Sequence, residues 1–179
     1  MAAHILLTGA PGCGKTTLVR RIIEQLRDLR LAGFFTQEVR GVDGRRDGFE
    51  AIGLNGCSTM LASVRSESKM RVGKYGVELF DFEQLVDAEL NRDPHDVDVF
   101  VVDEIGKMEC FSPLFVDLVE SRLDGDTPVL ATVAMKGRGF IAAVKQRQDI
   151  ELMTVNSVNR DGLVAIVAER LRARAARGP

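Results

Sequence analysis

Apolar positions change their spacing several times along the chain, and the changes predict alternating strands and helices. Residues 5–8 form a short apolar run that leads into a Gly-rich turn. From Lys15 the apolar residues Leu18, Val19, Ile22, Ile23, Leu26 and Leu29 recur at three- and four-residue steps. That spacing predicts a helix over residues 15–31, with Gly33 at its end. Residues 34–40 and 49–54 then read as two strands, joined by a hairpin turn containing Asp43-Gly44. Residues 55–75 carry no clear period. Asp81, with Gln84 three residues on, predicts a capped helix whose buried face is Phe82, Leu85, Val86 and Leu90.

The run at 97–102 is almost wholly apolar and β-branched, as expected of a strand buried on both faces. Ser112-Pro113 reads as a helix start with Leu114, Leu118 and Val119 turned inward. Residues 129–133 and 150–155 predict two further strands. A terminal helix from Asp161 would bury Leu163, Ile166, Val167 and Leu171 and fray in its Arg-Ala tail. Alternating strands and helices predict an α/β fold with a mostly parallel sheet covered on both faces and an added antiparallel hairpin.

Composition narrows the class. The 179 residues are 45% hydrophobic and 28% charged, which suits one domain spanning 1–179. A formal net charge of -2 argues against a dedicated nucleic-acid binder, which needs a positive excess to neutralise phosphates. The cysteines Cys13, Cys57 and Cys110 are odd in number and have no metal or redox spacing. No signal peptide or membrane-spanning run is evident, so a cytoplasmic protein is expected, and a monomer.

Two motifs carry the chemistry. Gly9-Ala10-Pro11-Gly12-Cys13-Gly14-Lys15-Thr16 fits GxxxxGK[ST], and composition alone gives that pattern about a 0.4% chance anywhere in the chain. Its backbone N–H groups would cradle the β-phosphate, Lys15 would reach the β- and γ-phosphates, and Thr16 would ligate Mg²⁺. Thr17 follows in the opening helix. The Cys13 thiol sits at a variable position of the pattern and is assigned no role. The second motif ends the buried strand: Val101, Val102, Asp103, Glu104, Ile105, Gly106, Lys107, Met108. Asp103 would hold the Mg²⁺ shell. Glu104, facing the other way along the strand, would activate water. Lys107 reads equally well as a γ-phosphate ligand or a loop charge.

Among the arginines, Arg40 and Arg46 are the foremost candidates for stabilising a transferring phosphoryl group, with Arg138 and Arg160 behind them. Arg65 reads as a solubility charge. Nine Phe, one Tyr and no Trp leave no stacking platform for single strands, although Tyr75 or a Phe could stack on one base.

With both motifs placed, the chain resembles the small phosphate-loop nucleoside-triphosphatases of thermophilic prokaryotes and animals. The resemblance rests on 9–16, Gly33-Phe34-Phe35-Thr36-Gln37-Glu38-Val39-Arg40, Gly44-Arg45-Arg46 with Gly48-Phe49, Val72-Gly73-Lys74-Tyr75, 102–109 and Asn159-Arg160. It implies a three-layer P-loop NTPase fold and slow, Mg²⁺-dependent hydrolysis of ATP, GTP and other nucleoside triphosphates to diphosphate and phosphate, with loose base selectivity. It also implies nucleotide contacts at 9–16 and 101–108. Gln37 departs from the Glu common in relatives, and residues 55–70 match poorly. A nucleotide or small-molecule kinase and a nucleotide-dependent switch remain open alternatives, because both use the same loop.

Overall fold

A computed structural model describes residues 3–176. Nine strands form one sheet: β1 (His4–Gly9), β2 (Leu31–Arg40), β3 (Arg46–Gly53), β4 (Ser58–Ser63), β5 (Arg71–Val72), β6 (Tyr75–Val77), β7 (Val99–Ile105), β8 (Val129–Ala134) and β9 (Ile150–Thr154). The helices are α1 (Lys15–Gln25), α2 (Leu79–Leu90), α3 (Pro113–Leu123), α4 (Phe140–Val144) and α5 (Arg160–Ala175).

The strand order is β5-β6-β4-β3-β2-β7-β8-β1-β9. Pairs from β2 to β9 are parallel, whereas β2-β3, β3-β4, β4-β6 and β6-β5 are antiparallel. The sheet is therefore mixed, not mostly parallel with a hairpin attached. The antiparallel extension recruits the segment after β3 that lacks a periodic pattern.

Strand residues alternate between two cores, as a pleated strand requires. Leu6, Phe34, Phe100 and Val102 pack with α2, α3 and α4 residues such as Phe82, Phe115 and Ile141. Ile5, Leu7, Val99 and Val101 pack with Leu18, Ile22, Leu163 and Val167 of α1 and α5. Helices thus cover both faces of the sheet. Among the described residues no helix is long and apolar enough to cross a membrane.

Several local expectations change. Helix α1 ends at Gln25, and Gly33 lies inside β2 rather than at a helix end. Helix α2 starts at Leu79, so Asp81 falls in its first turn and caps nothing. Ser112 does cap α3, its hydroxyl accepting from the Phe115 N–H at 3.0 Å. That helix buries Phe115, Val119 and Leu123, with Leu114 and Leu118 only half buried. In α5, Ile166 is exposed, and Val164 and Ala168 take the inner face. The Arg-Ala tail is helical to Ala175, and the expected fraying concerns residues 177–179, outside those described.

Candidate active site

Strand β1 delivers the Gly-rich loop at the carboxyl edge of the parallel strands. Gly12 and Gly14 have φ of +76° and +93°, a region that L side chains rarely adopt, which gives the turn its sharp reversal. Helix α1 then starts at Lys15 with Gly14 as its cap, no side-chain cap and no acid in the first turn. Its first N–H groups have no side-chain cap, and the positive end of the helix dipole makes such a terminus favourable to an anion.

The acidic strand β7 lies two positions away across β8 and meets the loop directly. The Thr16 hydroxyl donates to Asp103 Oδ2 at 2.8 Å, and the Thr36 N–H reaches the same oxygen at 3.4 Å. Thr132 donates to Asp103 Oδ1 at 2.6 Å. Burial raises the Asp103 pKa, against the opposing effect of these three donors and of Lys15. Lys15 donates to the Gly9 carbonyl at 3.3 Å and stands 3.6 Å from Glu104 Oε2. Glu104 is also raised, by burial first, with Lys15 pulling it down and Asp103 pushing it up.

Asp103 and Glu104 do not point apart as simple alternation predicts. The β7-β8 register shifts between Val102 and Ile105, and both carboxyl groups reach the Lys15–Thr16 end of the loop. Val101, Val102 and Ile105 are fully buried, Val101 in one core and Val102 and Ile105 in the other.

A cleft of about 500 Å³ lies over this constellation, lined by Pro11, Gly12, Gly14, Lys15, Thr16 and Thr17 on one side. Thr36, Gln37, Glu38, Arg46, Phe49 and Glu104 line the other. Arg46 pairs with Glu38 and lies over the Phe49 ring at 5.2 Å, and its buried Nε has no hydrogen-bond partner. Arg40 is not in the cleft. It donates to Glu38 at 2.6 Å and to the Gly44 carbonyl at the exposed hairpin tip. Tyr75 packs edge-to-face on Phe49, and Ala10 is exposed on the loop.

On the opposite flank, Arg160 lies against Gly14, where an added Cβ would come within 2.6 Å of its guanidinium. The preceding turn ties up its own amides. Asn156 Oδ1 accepts from the Val158 and Asn159 N–H groups, and Asn159 accepts from the Asn156 N–H and donates to the Thr154 carbonyl. Val158 at its tip is almost fully exposed.

Thr36, Thr132 and Glu109 were missed by sequence reasoning. Thr132 carried a usable signal, since a hydroxyl inside the buried run Val-Leu-Ala-Thr-Val needs a partner. Glu109 is buried beside Gly106, with no cation paired to it among the described residues. Burial, reinforced by Glu104 and Asp103, pushes its pKa up to about 8. A carboxyl raised in the folded state destabilises increasingly as pH climbs from its unfolded value of 4.5 toward 8. Glu109→Gln should therefore match wild type near pH 4 and exceed it by up to about 3 kcal/mol at pH 7. Urea unfolding at the two pH values checks this, and an unchanged pH slope contradicts it.

The whole chain can be compared with known proteins. A family model described as NTPase matches residues 4–168. The nucleoside-triphosphatase THEP1 of Methanosarcina barkeri is 40% identical, over 94% of this chain and 97% of that protein. The human cancer-related nucleoside-triphosphatase is 38% identical, over 92% and 94%. The crystal structure of THEP1 from the hyperthermophile Aquifex aeolicus superposes with a TM-score of 0.85 at 36% identity, covering 94% of this chain and 98% of that one. A family match over nearly the whole chain, on a fold that brings a Gly-rich loop and an acidic strand together, leads to one conclusion: the chain belongs to the NTPase family and is a hydrolase acting on nucleoside triphosphates.

Proposed function

We propose that the protein has the P-loop NTPase fold and hydrolyses ATP, GTP and other nucleoside triphosphates to diphosphate and phosphate with Mg²⁺. The observation that carries this is the convergence of the two motifs: Thr16 on Asp103 at 2.8 Å and Lys15 beside Glu104 at 3.6 Å, at one end of one cleft.

The residues suit Mg²⁺. The Thr16 hydroxyl and the Asp103 carboxylate, which share one hydrogen bond, are hard oxygen donors of the kind this ion takes. Thr16 and Asp103 would hold the ion, which supplies charge neutralisation on the β- and γ-phosphates. The loop amides and Lys15 hold the phosphates. Glu104 takes a proton from a water whose oxygen bonds to the γ-phosphorus, as the bond from that phosphorus to the bridging oxygen breaks and its electron pair leaves with the diphosphate. Arg46, which lines the cleft where Arg40 does not, is the arginine we assign to the transferring phosphoryl group.

Loose base selectivity has a physical basis. If the γ-phosphate lies toward Glu104, the nucleoside leaves the loop toward Arg160 and Val158. Three of the four side-chain amide atoms of Asn156 and Asn159 are spent inside that turn. A valine and a guanidinium can pack on any base and read little of its edge.

The test is phosphate release from ATP, GTP, CTP and UTP. Release is expected from all four, lost with EDTA and restored by Mg²⁺. Lys15→Ala should lower kcat/KM roughly ten- to hundredfold, the loss of a charge-assisted contact of about 1.5–3 kcal/mol. Equal turnover in Lys15→Ala would defeat the assignment.

A further inference from the structure

Activating one water needs little room, yet a second cavity adjoins the cleft at Glu104. It has a volume of about 370 Å³, within the usual size range of small-molecule sites. Its walls include Phe49, Leu61, Val72, Met108 and Ala134, side chains that hold neither phosphate nor metal. Pro11, Thr36, Phe49 and Glu104 line both this cavity and the phosphate cleft, so the two are continuous. Glu104 therefore stands at the junction, with its carboxylate open to whatever fills the cavity.

The charges around the cavity favour an anion. Lys107 and Lys136 are exposed at its rim. Arg138 is exposed in an adjoining hollow that shares Val72 and Lys107. Among the described residues these three cations have no hydrogen-bond or ion-pair partner. Arg71, in the same hollow, is spent on the carbonyls of Ser66, Ser68 and Lys74. The buried Glu109 is mostly protonated at neutral pH, so it offsets little of the positive charge.

We propose that this cavity binds a small alcohol with an apolar body and an anionic group, and that the protein transfers the γ-phosphoryl group to its hydroxyl. The inference rests on the hydrolytic function proposed above, with the alcohol replacing water. The hydroxyl oxygen forms a bond to the γ-phosphorus, and the bond from that phosphorus to the bridging oxygen breaks. The electron pair leaves with the nucleoside diphosphate, and the hydroxyl proton passes to Glu104. The products are a phosphate monoester and the diphosphate. A water-activating carboxylate suits a hydroxyl acceptor better than a phosphate acceptor, whose oxygen is already ionised at neutral pH.

Two probes separate the features: 4-(hydroxymethyl)benzoate, which has an apolar ring, a hydroxyl and a carboxylate, and benzyl alcohol, which lacks the anion. With Mg²⁺-ATP, phosphorus NMR should show a monoester signal beside inorganic phosphate, stronger with the carboxylate probe. Ala134→Leu fills the cavity and should lower ester relative to phosphate about tenfold, with phosphate release in the absence of acceptor unchanged. Lys136→Ala should raise the KM for the carboxylate probe roughly fivefold and leave that for benzyl alcohol unaltered. Phosphate release with no ester from either probe at millimolar concentration would overturn the proposal alone. Absence of phosphate release without any acceptor would instead overturn the hydrolytic function beneath it.

Discussion

Glu104→Gln should lower phosphate release by roughly 10²–10⁴ and leave nucleotide affinity equal to wild type or tighter. The substitution keeps the shape of the side chain and removes its capacity to accept a proton. Its neighbours are favourable for such a test. The Lys15 ammonium, 3.6 Å away, is held independently by the Gly9 carbonyl, so it stays in place when the carboxylate is neutralised. Removing a negative charge from the cleft also lessens repulsion with a triphosphate bound there, which is why binding should not suffer. The measurement pairs steady-state phosphate release with calorimetric binding of a non-hydrolysable ATP analogue. Full turnover in the variant would remove Glu104 from the chemistry. Lost turnover together with lost binding would make it a structural residue of the cleft.

What the sequence made legible was local. The Gly-rich loop could be read because its geometry is written in eight consecutive residues. The long apolar strands β7 and β8 were equally plain. Helix α1 is shorter than its apolar spacing predicts, for a physical reason. Leu26 and Leu29 continue the helical spacing and still pack in the same core, but the chain turns there, with the Leu29 N–H on the Leu26 carbonyl. Spacing reports which side chains face the core, and a turn can satisfy it as well as a helix. Strand β4 was unreadable because its buried residues, Leu61 and Ala62, are adjacent rather than alternate, beside a register shift at Phe49/Glu50.

The candidate site divides in the same way. Lys15, Thr16, Asp103 and Glu104 come from two contiguous motifs. The remaining pieces depend on how distant strands align. Nothing near Arg40 or Arg46 distinguishes them in sequence. The hairpin decides, carrying Arg46 back along β3 into the cleft and holding Arg40 with Glu38 and Gly44 at the exposed tip. Glu109 looks like one more charge in Lys-Met-Glu until its burial next to Gly106 is seen.

The largest effect on stability should come from Gly33, whose role has no local signature. Its φ is +119°, and a Cβ there would lie 1.9 Å from the Val101 carbonyl oxygen, a backbone atom that cannot swing aside. The residue is also the pivot of the mixed sheet. Gly33 pairs with Val101 in the last stretch of β2 against β7, and Phe34 begins the antiparallel pairing with β3. The Gly33 N–H donates to the buried Glu89 carboxylate at 2.8 Å, and the Leu54 N–H donates to its carbonyl at 2.9 Å. Gly33→Ala must push β2 away from β7 and break these bonds, at a cost of about 4 kcal/mol or more. Gly44 supplies the control. It too has positive φ, +75°, but a Cβ there meets nothing within 4 Å, so Gly44→Ala should cost only about 1 kcal/mol of backbone strain. Urea unfolding of the two variants separates close approach from backbone conformation, and similar losses in both would refute the steric account. The position matters for function as well as stability. Thr36, Arg46 and Phe49 reach the cleft from β2 and β3, beyond the pivot. Displacing the hinge moves that wall against a loop and acidic strand anchored in the parallel half. Any Gly33→Ala protein that folds should therefore lose turnover more than Gly44→Ala does at the same temperature.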